Sequence, residues 1–133
     1  MRKMCISQAA TDNYMILQDI SIETHRDYNG NLSFTFFGML ELLTHKHGIT
    51  PYVFTIRDEH NNHLAGYCIL YFTAENSIQI SQICLRKTYQ NQGIGKYFLD
   101  FFEKVTITAD IAFENQQSQR FFAFYKKICY NIL

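Results

Sequence analysis

The chain has 133 residues, the size of one domain, and is 47% apolar, enough to bury a single core and too much for a disordered chain. Lys plus Arg and Asp plus Glu number 12 each, so the net charge is zero with neutral histidines. This balance argues against a nucleic-acid partner, which would need a basic excess.

The N-terminal stretch Met1–Gln8 lacks the apolar core of a signal peptide. No run approaches the ~20 apolar residues that span a bilayer. Tyr14-Met15-Ile16-Leu17, followed by Ile20 and Ile22, predicts an opening strand within residues 12–23. Asp27-Tyr28-Asn29-Gly30-Asn31 is a turn cluster. Leu32, Phe36, Met39, Leu40 and Leu43 recur at helical spacing. They predict a helix over 32–47, with Gly48 as its C-terminal cap. Pro51, the sole proline, introduces a strand at 52–57. A polar turn at 58–63 and an apolar run at 64–73 complete a hairpin. A third antiparallel strand follows at 78–86. Its alternation of apolar and polar residues slips by one at Gln82-Ile83, the sequence signature of a bulge.

After a joint at 87–96, Tyr97, Phe98, Phe101, Phe102 and Val105 predict a helix with these residues on or near one face. A strand at 106–113 and a helix from about 116 to 128 are expected at the C-terminal end. The order is β-α-β-β-β-α-β-α. It predicts an α/β (α+β) fold: a single domain over 1–133 with a mixed, mostly antiparallel sheet and helices on both faces. The cysteines are Cys5, Cys68, Cys84 and Cys129, with no C-x-x-C pair. They read as reduced thiols of a cytoplasmic protein, with no zinc site.

The joint Gln90-Asn91-Gln92-Gly93-Ile94-Gly95 lies between a strand end and a helix start. First-turn amides of a helix lack intrahelical partners, and the helix dipole adds partial positive charge there. Glycines let a ligand approach the backbone. Such a site suits a phosphate or pyrophosphate, and Lys96 adds a full positive charge beside it. A Walker loop is excluded, because Gly-Lys-[Ser/Thr] with its upstream Gly is absent. A dinucleotide fingerprint fits poorly, because Phe98 stands where the third Gly belongs.

The stretch Leu85-Arg86-Lys87-Thr88-Tyr89-Gln90-Asn91-Gln92-Gly93-Ile94-Gly95 resembles the GNAT superfamily of N-acetyltransferases. That family's pattern is an apolar residue, an x-Pro-x-Tyr bend, then Gln/Arg-x-x-Gly-x-Gly/Ala. Lys87 replaces the usual Pro. The hairpin with Ala65-Gly66-Tyr67 also looks like the family's, and the resemblance covers roughly residues 50–122. It implies a donor, acetyl-CoA, whose pyrophosphate is held by Gln90, Asn91, Gln92, Gly93, Ile94, Gly95 and Lys96. It further implies that the backbone of Ile83, Cys84 and Leu85 pairs with the pantetheine arm, and that Asn115 and Ser118 contact the cofactor.

The family often uses a Tyr on the last helix to protonate the departing thiolate. A Tyr of pKa ~10 keeps its proton at neutral pH. Counting back from Tyr125-Lys126-Lys127-Ile128-Cys129-Tyr130 selects Tyr125; counting on from Asn115 selects Phe122. Tyr125 is the expected general acid. For a general base, the third antiparallel strand offers Gln79, Ser81 and Gln82 but no carboxylate. Glu41, His45 and His47 lie on or near the first helix, where His-Lys-His also reads as a solvated helix end. Most relatives continue into a C-terminal hairpin, here shortened or missing. Residues 128–133 would form at most one more strand, whose apolar edge suggests a homodimer. The resemblance implies acetyl transfer to an amine of a small molecule, amino acid or peptide, with no membrane or nucleic-acid partner. The alternative is a CoA-binding module without turnover.

Overall fold

The computed structural model describes residues 3–25, 35–102, 106–111 and 128–132. The first strand, β1 (Met4–Gln8), has no counterpart in the sequence reading. It is short and lies at the sheet edge, and Met4 is its one buried residue.

The expected opening strand is instead α1 (Tyr14–His25). Leu17, Ile20, Ser21 and Thr24 are buried, whereas Met15, Ile16, Asp19 and Glu23 are exposed. That spacing of three, one and three residues is one face of a helix, not one face of a strand. The β-branched Ile16, Ile20 and Ile22 suggest a strand locally, but the buried stripe of α1 outweighs that propensity.

The expected helix over 32–47 is present from Phe36: α2 (Phe36–Glu41) runs into a wider π-type turn, Leu42–Lys46. Thr35 caps its start, its Oγ1 accepting from the Gly38 amide at 3.2 Å. Ser21 Oγ accepts from the Phe36 amide at 2.9 Å and so ties α1 to α2. Gly48 closes the end as expected, with φ of 63° while the Ile49 amide reaches back to Leu43 O at 2.8 Å.

β2 (Tyr52–Asp58), β3 (Leu64–Ala74) and β4 (Ser77–Leu85) form the antiparallel meander that the turn chemistry predicts. β5 (Thr106–Ile111) joins β4 in parallel, and β6 (Ile128–Ile132) joins β5 in parallel. The sheet order is β1-β2-β3-β4-β5-β6. The expected strands at 106–113 and 128–133 thus hold through Ile111 and Ile132. Most of the expected helix at 116–128 lies outside the described residues, and Ile128 itself begins β6.

Each sheet face carries its own core. One packs Ile56, Leu70, Ile78 and Ile80 against Ile94, Phe98 and Leu99 of α3 (Ile94–Asp100). The other packs Val53, Tyr67, Ile69 and Cys84 against Leu17, Ile20 and Phe36 from α1 and α2. The face expected of α3 needs correction. Phe98 and Leu99 are buried, whereas Tyr97 and Phe101 are exposed; Val105 lies outside the described residues. Among the described residues, no helix is long and apolar enough to cross a membrane.

The alternation slip in β4 is a real bulge. Ile69 faces Gln82 and Leu70 faces Ile80, leaving Ser81 as the extra residue. One inserted residue reverses which side chains face which core. Accordingly Ile78 and Ile80 join the α3 core, and Cys84 joins the α1 core.

Candidate active site

The bulge sits where β4 loses its neighbour. β4 and β5 are paired from Ser77–Thr106 to Ile80–Ala109 and no further. Beyond that point β4 runs on to Leu85 alongside β3, while β5 runs on through Asp110 and Ile111 alongside β6. Among the described residues, 81–85 therefore border a gap between two strands that part. Backbone on a strand edge is the natural partner for an extended, amide-bearing ligand. The expected pantetheine-pairing residues Ile83, Cys84 and Leu85 lie on this stretch.

The strand leads through a short 3-10 turn, Lys87–Tyr89, into the loop before α3. The loop folds back on the strand it leaves. Gln90 Nε2 donates to Leu85 O at 2.9 Å, and Gln92 Nε2 donates to Thr88 O at 2.6 Å. Asn91 and Gly93 both take left-handed backbone, with φ of 60° and 78°. The sequence supplies the two residue types that adopt this conformation most readily. A Cβ added at Gly93 would meet nothing within 4 Å, so the space over the loop backbone is open. The Tyr97 amide donates to Gly93 O at 3.0 Å, so the amides of Ile94, Gly95 and Lys96 precede the helical ladder. Gly95 and Ile94 are buried against the sheet. Lys96 adds less charge than expected, because its Nζ pairs with Asp100 Oδ2 at 3.1 Å on the exposed face.

The structure thus brings Ile83–Leu85 and Gln90–Lys96 together as one continuous border. An open glycine, amides outside the helical ladder and a parted strand pair fit the pyrophosphate and arm of CoA. Asn115, Ser118, Tyr125 and Phe122 lie outside the described residues. Glu41, His45 and His47 are all exposed at the C-terminal end of α2.

A buried polar group on the α1 side of β4 escaped the sequence reading. Tyr67 is fully buried, and its hydroxyl donates to the side-chain oxygen of Gln82. It also meets the Cys84 thiol and Ser21, and Cys84 in turn meets Thr24. Burial, reinforced by the nearby Cys84, pushes the Tyr67 hydroxyl far above its ordinary value. Burial likewise raises Cys84, against the opposing hydrogen bonds of Tyr67 and Thr24. Cys68 is raised by burial and by Cys84. Both thiols stay protonated at neutral pH, so neither provides a thiolate nucleophile. Tyr67 acts here as a fixed donor. Tyr67→Phe removes the donor to a buried carboxamide oxygen and is expected to cost about 1–2 kcal/mol in urea unfolding. An unchanged midpoint would show that the contact contributes nothing.

The model of the Acetyltransferase (GNAT) family matches residues 14–125. A comparison with curated protein sequences finds no match. Among solved structures, the chain is similar to a GNAT-family acetyltransferase from Staphylococcus aureus Mu50, at 15% identity and a TM-score of 0.71, covering 92% of this chain and 83% of that one. It is similar to a diaminobutyrate acetyltransferase from Paenibacillus lautus in complex with L-2,4-diaminobutyric acid and coenzyme A, at 16% identity and 0.66, covering 94% and 75%. It is also similar to a spermidine N-acetyltransferase from Vibrio cholerae in complex with CoA and spermine, at 16% and 0.62, covering 91% and 78%. The strand-loop-helix border and the family match agree: the chain belongs to the GNAT family of N-acetyltransferases, enzymes that take their acetyl group from acetyl-CoA.

Proposed function

We propose that this enzyme acetylates an amine of a small molecule, amino acid or peptide, by direct attack of the amine on the acetyl thioester. The observation that carries the reading is the end of β4–β5 pairing at Ile80, beside a loop whose Gly93 faces open space. Diaminobutyrate and spermidine, named for two of the similar structures, favour a small amine as acceptor.

When bound, acetyl-CoA supplies a thioester carbonyl already activated toward amines. The chain's own residues then hold and orient. Gln90, Asn91, Gln92, Gly93, Ile94, Gly95 and Lys96 cradle the pyrophosphate through backbone amides. Ile83, Cys84 and Leu85 pair with the pantetheine arm, and Asn115 and Ser118 contact the cofactor as the family resemblance implies. Tyr125 would hold at its hydroxyl a proton for the departing thiolate, and the proton that the amine loses on becoming an amide would pass to water. Cys68 and Cys84, buried and protonated, take no part in a covalent step. The six described strands form one sheet, in keeping with a single domain, and the described cysteines Cys5, Cys68 and Cys84 are free thiols, in keeping with a place in the cytoplasm.

Calorimetric titration with acetyl-CoA and CoA tests the donor site, and a screen of small amines for release of free CoA tests transfer. Micromolar binding followed by amine-dependent release is the expected result. Absence of binding to either ligand would remove the basis for this reading.

The same proposal includes a homodimer. β6 ends the described sheet, and an edge strand invites pairing with a second copy. Size-exclusion chromatography with light scattering should give twice the chain mass; a clean monomer would sink the dimer.

A further inference from the structure

Tyr89 is the last residue before the cofactor loop, and its hydroxyl does not end in a local contact. It donates to Asp58 Oδ2 at 2.9 Å, 31 residues back in the chain. Asn61 Nδ2 donates to the same hydroxyl at 3.3 Å. Tyr89 and Asp58 are both buried, at 4% and 1% exposure.

Asp58 is itself held firmly. It ends β2, its Oδ1 accepts from the His60 amide at 2.9 Å, and its own amide donates to His63 O at 2.9 Å. The turn joining β2 to β3 is therefore built around one carboxylate, and the second oxygen of that carboxylate takes the phenol. By contrast, the hydrogen bonds described for the Gln90 and Gln92 side chains reach no further than Leu85 and Thr88, inside the same segment. Bonds that close a loop on itself set its shape. A bond to a turn anchored in the sheet sets where the loop stands.

We infer that Asp58 and Tyr89 are positioning residues that hold the loop Gln90–Lys96 in register with the end of β4. The inference rests on the assignment of that loop to the CoA pyrophosphate. Cutting the bond leaves the loop free to sample positions in which its amides no longer converge, and binding must then restore the order. A hydrogen bond to a charged, buried partner is strong enough for this to be measurable.

The test measures CoA affinity by calorimetry, together with hydrogen exchange of the amides of residues 90–96 without ligand. Tyr89→Phe is expected to weaken CoA binding about tenfold and to speed exchange of those amides. Asp58→Asn removes the charge and, with its one oxygen held by the His60 amide, the acceptor of the phenolic proton, and should likewise weaken CoA binding by about three- to tenfold. Asn61→Ala, an exposed change, should weaken binding by about two- to threefold. Tyr89→Phe with wild-type affinity and wild-type exchange would overturn the inference. So would a Tyr89→Phe protein that fails to fold, because the pair would then serve stability alone. Gly93→Asp separates the two levels. If it binds CoA normally, the loop assignment itself has failed. If it loses CoA while Tyr89→Phe keeps it, the loop assignment stands and only the lock is lost.

Discussion

Gly93→Asp is expected to weaken CoA binding at least about 100-fold while leaving the protein folded. The fold survives because a Cβ at Gly93 meets nothing within 4 Å. Its left-handed φ of 78° is one that Asp tolerates better than most residues, at a cost of about 1 kcal/mol. Binding fails for two reasons. The side chain fills the space through which a pyrophosphate would reach the loop amides. Its carboxylate also repels the pyrophosphate: two like charges ~6 Å apart at an effective dielectric of ~20 repel by about 3 kcal/mol. Gly93→Asn divides these causes: it has nearly the same volume and the same tolerance for left-handed backbone, but no charge. The expected order of affinity is wild type, then Asn, then Asp, with the gap between the last two narrowing as salt is raised. Calorimetric affinities for Asp within threefold of wild type would remove the pyrophosphate from this loop.

Gly66→Ala is expected to cost about 3 kcal/mol of stability and to lower the melting temperature by about 10 °C. The reason is close approach. A Cβ at Gly66 would stand 2.1 Å from the Cys84 carbonyl oxygen, 2.8 Å from Leu85 Cδ2 and 3.0 Å from Leu85 Cα. Two of these three atoms are backbone and cannot swing aside. The approach arises from a second irregularity: Ile56 faces Gly66 and Arg57 faces Leu64, so Ala65 is an extra residue in β3. With the Ser81 bulge in β4, it draws the ends of the two strands close together. Relief of the clash must displace Cys84 and Leu85, and Leu85 O is the anchor of the Gln90 side chain. CoA affinity should therefore fall together with stability, unlike the Gly93 variants, where affinity falls steeply and stability by only about 1 kcal/mol. Thermal and urea unfolding at wild-type values would contradict the contact.

The parts of the candidate site that were legible in the sequence share one property: each is encoded by residues adjacent in the chain. Gln90-Asn91-Gln92-Gly93-Ile94-Gly95 names its own backbone, since Asn91 and Gly93 are residues that accept positive φ, and both adopt it. The slip at Gln82-Ile83 records a bulge directly, because an inserted residue must shift the period of everything beyond it. Gly48 as a helix end and the polar turn at 58–63 are local in the same sense.

What the sequence by itself determined is therefore the meander β2–β4, the bulge, and the glycine loop leading into α3. Only the tertiary structure decided that residues 14–25 form a helix, since the four-residue apolar run fits strand or helix until a sheet face selects the stripe Leu17, Ile20, Ser21 and Thr24. Only it decided why residue 66 is glycine, because the obstacle is the backbone of Cys84 and Leu85, far along the chain. Only it joined Tyr89 to Asp58, and Tyr67 to Gln82 and Cys84. Period and turn chemistry are written in neighbouring φ and ψ preferences, whereas a hydrogen bond between segments exists only once the sheet has placed them within 3 Å of each other.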